Sequence, residues 1–195
     1  MASPNHHFFR AFLRNKSQVG ALTPSGDKLA DAMVDRLDWD SLRSVVEFGP
    51  GTGVFTEKIM GKLHPDATFF AVERDEHLAQ LTRERCPRAT VHTECVSHIG
   101  RLCEAEGIGQ VDAVISGLPW AVFSESLQME LLEAMKGVLK SGGQFVTFAY
   151  LQGMILPAAQ RFRKLLKREF AEVNQSPVIW QNAPPAFVYR CTAKS

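Results

Sequence analysis

The chain has 195 residues, 45% of them hydrophobic, with 22 Lys and Arg against 21 Asp and Glu and a net charge of +1. That length suits one domain able to bury a sizeable core, and the near-neutral balance excludes the basic coat of a general nucleic-acid binder. No apolar run is long enough to span a bilayer, since the longest candidate, Gln144 to Ala159, is broken by Gln152 and Pro157. Polar and charged residues interrupt every candidate secretory h-region, so a cytoplasmic protein is expected. The four cysteines, Cys86, Cys95, Cys103 and Cys191, show no Cys-x-x-Cys spacing, so neither a metal site nor a disulfide framework is expected. Charge is unevenly placed. Arg10, Arg14 and Lys16 stand in an acid-free start, and Arg161, Arg163, Lys164, Lys167 and Arg168 form a second cluster, which points to a localised anionic partner.

In chain order, residues 1–26 read as an N-terminal helix and covering loop, and residues 27–195 as one further domain. Thr23-Pro24-Ser25-Gly26 looks like a loop, and Leu29, Ala30, Met33, Val34 and Leu37 give a helical period over Asp27–Leu37. Strands and helices then alternate: strand Val45–Phe48, helix Val54–Lys62, strand Thr68–Glu73, helix Glu76–Arg85, strand Thr90–Thr93, helix Ser97–Glu106, strand Val111–Ser116. Helix Ser124–Leu139 follows, then a turn at Ser141-Gly142-Gly143, strand Gln144–Tyr150 and helix Pro157–Arg168. The pattern predicts an α/β fold, a seven-stranded, mostly parallel sheet with helices on both faces. Two late strands, near Phe170–Val178 and Pro185–Thr192, are joined by a short link. They predict an antiparallel hairpin at the sheet edge.

The chemistry is concentrated in Val45-Val46-Glu47-Phe48-Gly49-Pro50-Gly51-Thr52-Gly53, a buried strand running through a glycine turn into a helix. The glycines let backbone approach a ligand closely, and an acid within an apolar strand needs a positive or hydrogen-bonding partner. The third glycine is two residues after the second, not the three of a dinucleotide fingerprint, and no Gly-Lys-Ser/Thr follows, which excludes a P-loop. A second acid, Glu73, closes the strand Thr68–Glu73 twenty residues past Gly53, where a carboxylate can accept from a ribose diol. Together these segments resemble motifs I and II of the class I S-adenosylmethionine-dependent methyltransferases, and the expected fold is their Rossmann-like one.

That resemblance implies S-adenosylmethionine as cofactor, leaving as S-adenosylhomocysteine, held by Glu47, Gly49, Gly51, Thr52 and Gly53 and by Glu73 and Arg74. It also implies Glu94 or its neighbour Cys95 at the third strand end, Ser116 and Leu118 at the fourth, and Gln18 and Thr23 closing over the top. Ser116-Gly117-Leu118-Pro119-Trp120 is similar to the Asn-Leu-Pro-Tyr-type motif of rRNA adenine dimethyltransferases, but Gly117 stands where they carry asparagine, so nucleic acid is not the expected partner. Gly117 and Pro119 are candidate acceptor-binding residues, and Trp120 either offers a ring face to a cationic nitrogen or packs in the core. Tyr150 and His98 are candidate bases for the acceptor amine.

Phe8, Phe9, Phe12 and Leu13 would form one ridge of a helix, with Arg10 and Arg14 off it. Such a helix suits an anionic membrane interface, and equally suits packing on its own domain. Phe-Phe-x-x-Phe-Leu-Arg-Asn, the glycine turn, Ser-Gly-Leu-Pro and the ending Asn182-Ala183-Pro184-Pro185-Ala186-Phe187-Val188-Tyr189-Arg190 resemble the bacterial phospholipid N-methyltransferases. This implies methylation of phosphatidylethanolamine and its mono- and dimethyl forms, by a protein peripherally bound to the inner membrane. Phe8, Phe9, Arg10, Phe12, Leu13 and Arg14 would then bind membrane, with Tyr189 and Arg190 on the lipid phosphate.

Overall fold

The computed structural model describes residues 24–195. The elements are α1 (Pro24–Val34), β1 (Ser44–Phe48), α2 (Val54–Met60), β2 (Thr68–Glu73), α3 (Glu76–Arg85), β3 (Thr90–Thr93), α4 (Ile99–Ala105) and β4 (Val111–Ser116), followed by α5 (Glu125–Val138), β5 (Leu139–Tyr150), α6 (Pro157–Glu169), β6 (Phe170–Gln175) and β7 (Ala186–Ala193). Single 3-10 turns lie at Val96–His98 and Trp120–Val122, and a longer one at Leu151–Ile155. The expected Asp27–Leu37 helix stops earlier, because Arg36 takes a left-handed φ of 62° that closes it. Asp75 and Ser124 cap α3 and α5, their side chains accepting from the amides of Leu78 and Leu127.

The sheet order is β3-β2-β1-β4-β5-β7-β6, and β7 alone runs antiparallel to its neighbours. The late hairpin stands at the sheet edge as expected, with β7 next to β5 and β6 outermost. β1 is buried along its whole length, as a parallel strand covered on both faces must be. Its alternate residues feed two cores. Val46 and Phe48 join Phe70, Val72, Trp120, Leu131, Phe145 and Phe162, while Val45 joins Leu29, Met33, Ile59, Ala71, Ile115 and Val188. The expected turn at Ser141–Gly143 is absorbed into β5 as a bulge: pairing jumps from Val111↔Leu139 to Ala113↔Gln144, with Gly142 at φ 71°. β1, β2, β4, β5 and β6 all point the same way, so their carboxyl ends share one rim, where ligands of open α/β sheets bind.

Candidate active site

Glu47 ends in the low-dielectric interior of β1, fully buried. Thr56 Oγ1 donates to its Oε2 at 2.6 Å, and Oε1 has no partner among the described residues. Burial, with Glu73 nearby adding to it, pushes this carboxyl up to about 8 despite the Thr56 bond. Beyond it the turn has Gly49 and Gly51 at φ 67° and 63°. The Gly51 amide donates to Glu73 Oε2 at 3.1 Å and the Asp75 amide to Oε1 at 3.0 Å. Burial raises Glu73 as well, partly offset by those backbone donors. Two residues that sequence reasoning missed clamp the turn from α3: Thr82 Oγ1 donates to Gly51 O at 2.9 Å, and Arg85 Nη1 to Thr52 O at 3.1 Å. A buried threonine on the apolar stripe of α3, in step with Leu78 and Ala79, was the available signal. Gly53 is buried behind these contacts, and Arg74 is exposed just past β2.

Past β3, the Glu94 amide donates to Glu73 O at 3.0 Å, which brings the second and third strand ends together. The Glu94 carboxylate accepts from the Cys95 amide at 2.8 Å and pairs with His98 and Arg101, each at 3.0 Å, and these hold it below the usual range, the Cys95 amide first. The Cys95 thiol accepts from Ser97 Oγ at 3.1 Å. His98 is thereby tied to Glu94 beside β3, while Tyr150 ends β5, four positions away in the sheet order. The two candidate bases do not form one constellation.

The β4 end meets the glycine turn backbone to backbone. The Gly117 amide donates to Phe48 O at 2.7 Å, and a Cβ on Gly117 would lie 2.5 Å from Gly49 O. Gly117 thus has no room for the asparagine of the rRNA enzymes. Leu118 covers Gly49, whose own Cβ would lie 2.7 Å from the leucine Cδ2, and Pro119 is half-buried beside it.

Two expectations on this side are corrected, at Trp120 and at Tyr189 with Arg190, and Ser116 and Tyr150 are further defined. Trp120 is 2% exposed and stacks on Phe162, with centroids 4.6 Å apart and planes 9° apart, so its ring is core and not a cage for a cation. The Ser116 hydroxyl accepts from Trp120 Nε1 at 3.1 Å and the Leu118 amide at 3.3 Å, so it shapes the turn. Burial pushes the Tyr150 phenol up to about 12, which disfavours the phenolate form. Tyr189 and Arg190, adjacent on β7, point to opposite faces and cannot hold one phosphate. Tyr189 is buried with its hydroxyl on Met154 Sδ at 3.9 Å, whereas Arg190 donates to the carbonyls of Ala32 (2.6 Å) and Asp35 (3.1 Å) at the end of α1. A further residue escaped sequence reasoning. Gln128, buried in α5, donates through Nε2 to Trp120 O (2.7 Å) and Ala158 O (3.0 Å), binding the β4 turn to α6. Its place on the stripe Gln128, Leu131, Leu132, Met135 was the sign. Gln18 and Thr23, and the membrane residues Phe8, Phe9, Arg10, Phe12, Leu13 and Arg14, lie outside the described residues.

The glycine turn, the buried acid with an unpaired oxygen, and the acid at the end of β2 fit a cationic, amino-acid-bearing nucleoside. Fold and site define a class I S-adenosylmethionine-dependent methyltransferase. The chain belongs to the methyltransferase-domain family, whose pattern it matches over residues 45–143. It is 33% identical over 189 residues to an ornithine lipid N-methyltransferase of Singulisphaera acidiphila, covering 94% of this chain and 93% of that protein. Among solved structures, an O-methyltransferase of Bacillus cereus in complex with S-adenosylhomocysteine superposes with a TM-score of 0.71 at 13% identity, over 100% of this chain and 92% of that one. TrmN of Thermus thermophilus gives 0.65 at 19% identity over 86% of this chain, which spans only 48% of TrmN. At these identities the structures establish the fold alone. Among the described residues no helix is long and apolar enough to cross a membrane.

Proposed function

We propose that this methyltransferase transfers methyl groups to the amine of a membrane-lipid headgroup. The observation that carries this reading is the 33% identity, over nearly the whole of both chains, to the ornithine lipid N-methyltransferase. S-adenosylmethionine, when bound, supplies a methyl on a sulfonium whose leaving group is neutral. The chain's own residues bind, orient and exclude water. Glu73 would accept from the ribose diol, Glu47 would add negative charge from beneath the turn, and the glycine turn would let backbone approach the ligand. The β4 turn, whose carbonyls at Gly117, Leu118 and Pro119 head the acceptor side, orients the amine. That amine must be neutral to attack, so the rate is expected to rise with pH as the free amine fraction rises.

The headgroup we propose is phosphatidylethanolamine, methylated up to three times by a protein peripheral to the cytoplasmic face of the inner membrane. Ornithine lipid, which presents an amine and no phosphate, is the second reading. It is favoured by the relative's activity and by the engagement of Arg190 at α1, which leaves the phosphate without its expected partner. The test is methyl incorporation from labelled S-adenosylmethionine into vesicles holding either lipid, with small amines and rRNA in parallel. Labelled lipid is the expected result, and label entering only the soluble amines or rRNA overturns the reading.

A further inference from the structure

The acceptor half of the rim is built without charge. Of the whole chain, 22% of residues are Asp, Glu, Lys or Arg, yet residues 113–124, 141–160 and 173–189 contain none of these and no His. These stretches include the three segments that leave the carboxyl ends of β4, β5 and β6, and the segments touch. The Leu151 amide donates to Pro185 O at 2.9 Å, and a Cβ on Gly153 would lie 4.0 Å from the Ala121 methyl. On them stand four of the five large apolar side chains exposed among the described residues: Ile155 at 80%, Trp180 at 69%, Leu156 at 41% and Leu151 at 38%.

The Trp180 tip is a built loop. Ile179 bridges Ala186, with the Ile179 amide donating to Ala186 O at 2.7 Å. The Asn182 side chain, 6% exposed, donates to Pro184 O at 2.6 Å, so the ring is held outward by a closed turn. Behind this rim α6 presents the exposed cations Arg163, Lys164 and Lys167. The first of them lies roughly 10 Å from Leu156 at about 1.5 Å per helical residue, close to a Debye length of about 8 Å at physiological salt.

We infer that this rim is an interfacial docking surface for an anionic lipid bilayer, with Leu151, Ile155, Leu156 and Trp180 entering the headgroup–acyl boundary and the α6 cations facing the lipid anions. A bilayer is the occupant because an uncharged tip avoids carrying charge out of water, an indole sits well at the lipid–water boundary, and the cations stand behind the apolar tips and not among them. The inference rests on the lipid-acceptor reading and adds a surface distinct from the N-terminal segment. It also orients the molecule: the β4 turn faces the bilayer, so a headgroup reaches it without leaving the membrane.

The test uses the full chain and vesicles of phosphatidylglycerol and phosphatidylcholine, which offer no methylatable amine. Failure of the acceptor reading therefore leaves this measurement intact. The wild type is expected to co-sediment. The double variant Ile155→Ser, Trp180→Ser is expected to lose about tenfold or more in partitioning while keeping its cofactor affinity by calorimetry. In a second measurement, brominated lipids quench the wild type, and the quenchable fraction disappears in Trp180→Phe. Equal sedimentation of variant and wild type, no sedimentation of the wild type, or quenching unaltered in Trp180→Phe would each overturn the proposal. So would light scattering that shows the double variant turning a dimer into a monomer, which would assign the rim to a second copy of the chain.

Discussion

The two halves of the sheet's carboxyl rim are made of opposite materials. After β1, β2 and β3 the backbone amides point inward at carboxylates: Glu73 ties Gly51 to Asp75, and Glu94 follows with its own ion pairs. After β4, β5 and β6 there is no charge, and order comes from packing, from the Trp120–Phe162 stack and from one buried amide, Gln128. One half is organised to meet a polar, cationic nucleoside, and the other is uncharged, as the proposed lipid acceptor requires. The two meet where Gly117 touches Gly49.

That junction gives the largest expected effect. Gly117→Ala drives a Cβ into the Gly49 carbonyl, and because both atoms belong to backbone, the turn itself must shift. We expect at least about a hundredfold loss of methyl transfer, measured against cofactor affinity by calorimetry. An unchanged rate would mean that the halves are independent. On the cofactor side, Glu73→Ala removes the diol acceptor and the Gly51 tether together, and should weaken S-adenosylmethionine binding roughly thirtyfold, about 2 kcal/mol, with the acceptor KM unmoved. On the acceptor side, Gln128→Leu leaves the carbonyls of Trp120 and Ala158 without their donor. A loss of about 2 kcal/mol in stability is expected by denaturant titration, with cofactor binding spared.

The pH dependence sharpens the contrast further, because the buried carboxyls lie on one side only. Glu47 is raised from 4.5 to about 8, so between those values the folded protein holds a proton that the unfolded chain has lost. Stability of the cofactor-free protein therefore falls as pH rises through that window. Glu47→Gln should flatten the slope in thermal melts, and a slope unchanged in the variant would move its origin elsewhere. The smallest effect is expected at Arg190. Replacement by Lys weakens the closure of α1 by about 1 kcal/mol or less and leaves the lipid KM alone, whereas a raised KM would restore its phosphate role.

Legibility followed the same division. The parallel strands and the acids at their ends were readable because their signals are local: an apolar run, a glycine spacing, a carboxylate at a fixed position. Thr68–Glu73 and Glu76–Arg85 fall where the pattern put them. On the acceptor side function depends on which face a side chain takes and what covers it, and neither is local. Trp120 reads equally as a free ring or as core until Phe162, forty-two residues later, closes over it, and Tyr189 and Arg190 read as a pair until β7 turns them apart. Thr82 and Gln128 are polar residues on apolar stripes, informative only once their partners on distant turns are known.

The placement of β7 inside the sheet bears on how the chain is made. Among the described residues β6 pairs with β7 and with no other strand, and β7 follows it in sequence, so during synthesis β6 waits without a neighbour while β5 stands with one edge open. An unpaired edge of that kind invites association with another nascent chain. β6 is suited to the wait: after Phe170 it reads Ala171-Glu172-Val173-Asn174-Gln175, polar and largely exposed even in the finished fold. β5, mostly apolar and buried from Phe145 to Phe148, is the strand at risk, and the interval before β7 arrives to cover it is when a nascent chain of this protein is most exposed to aggregation.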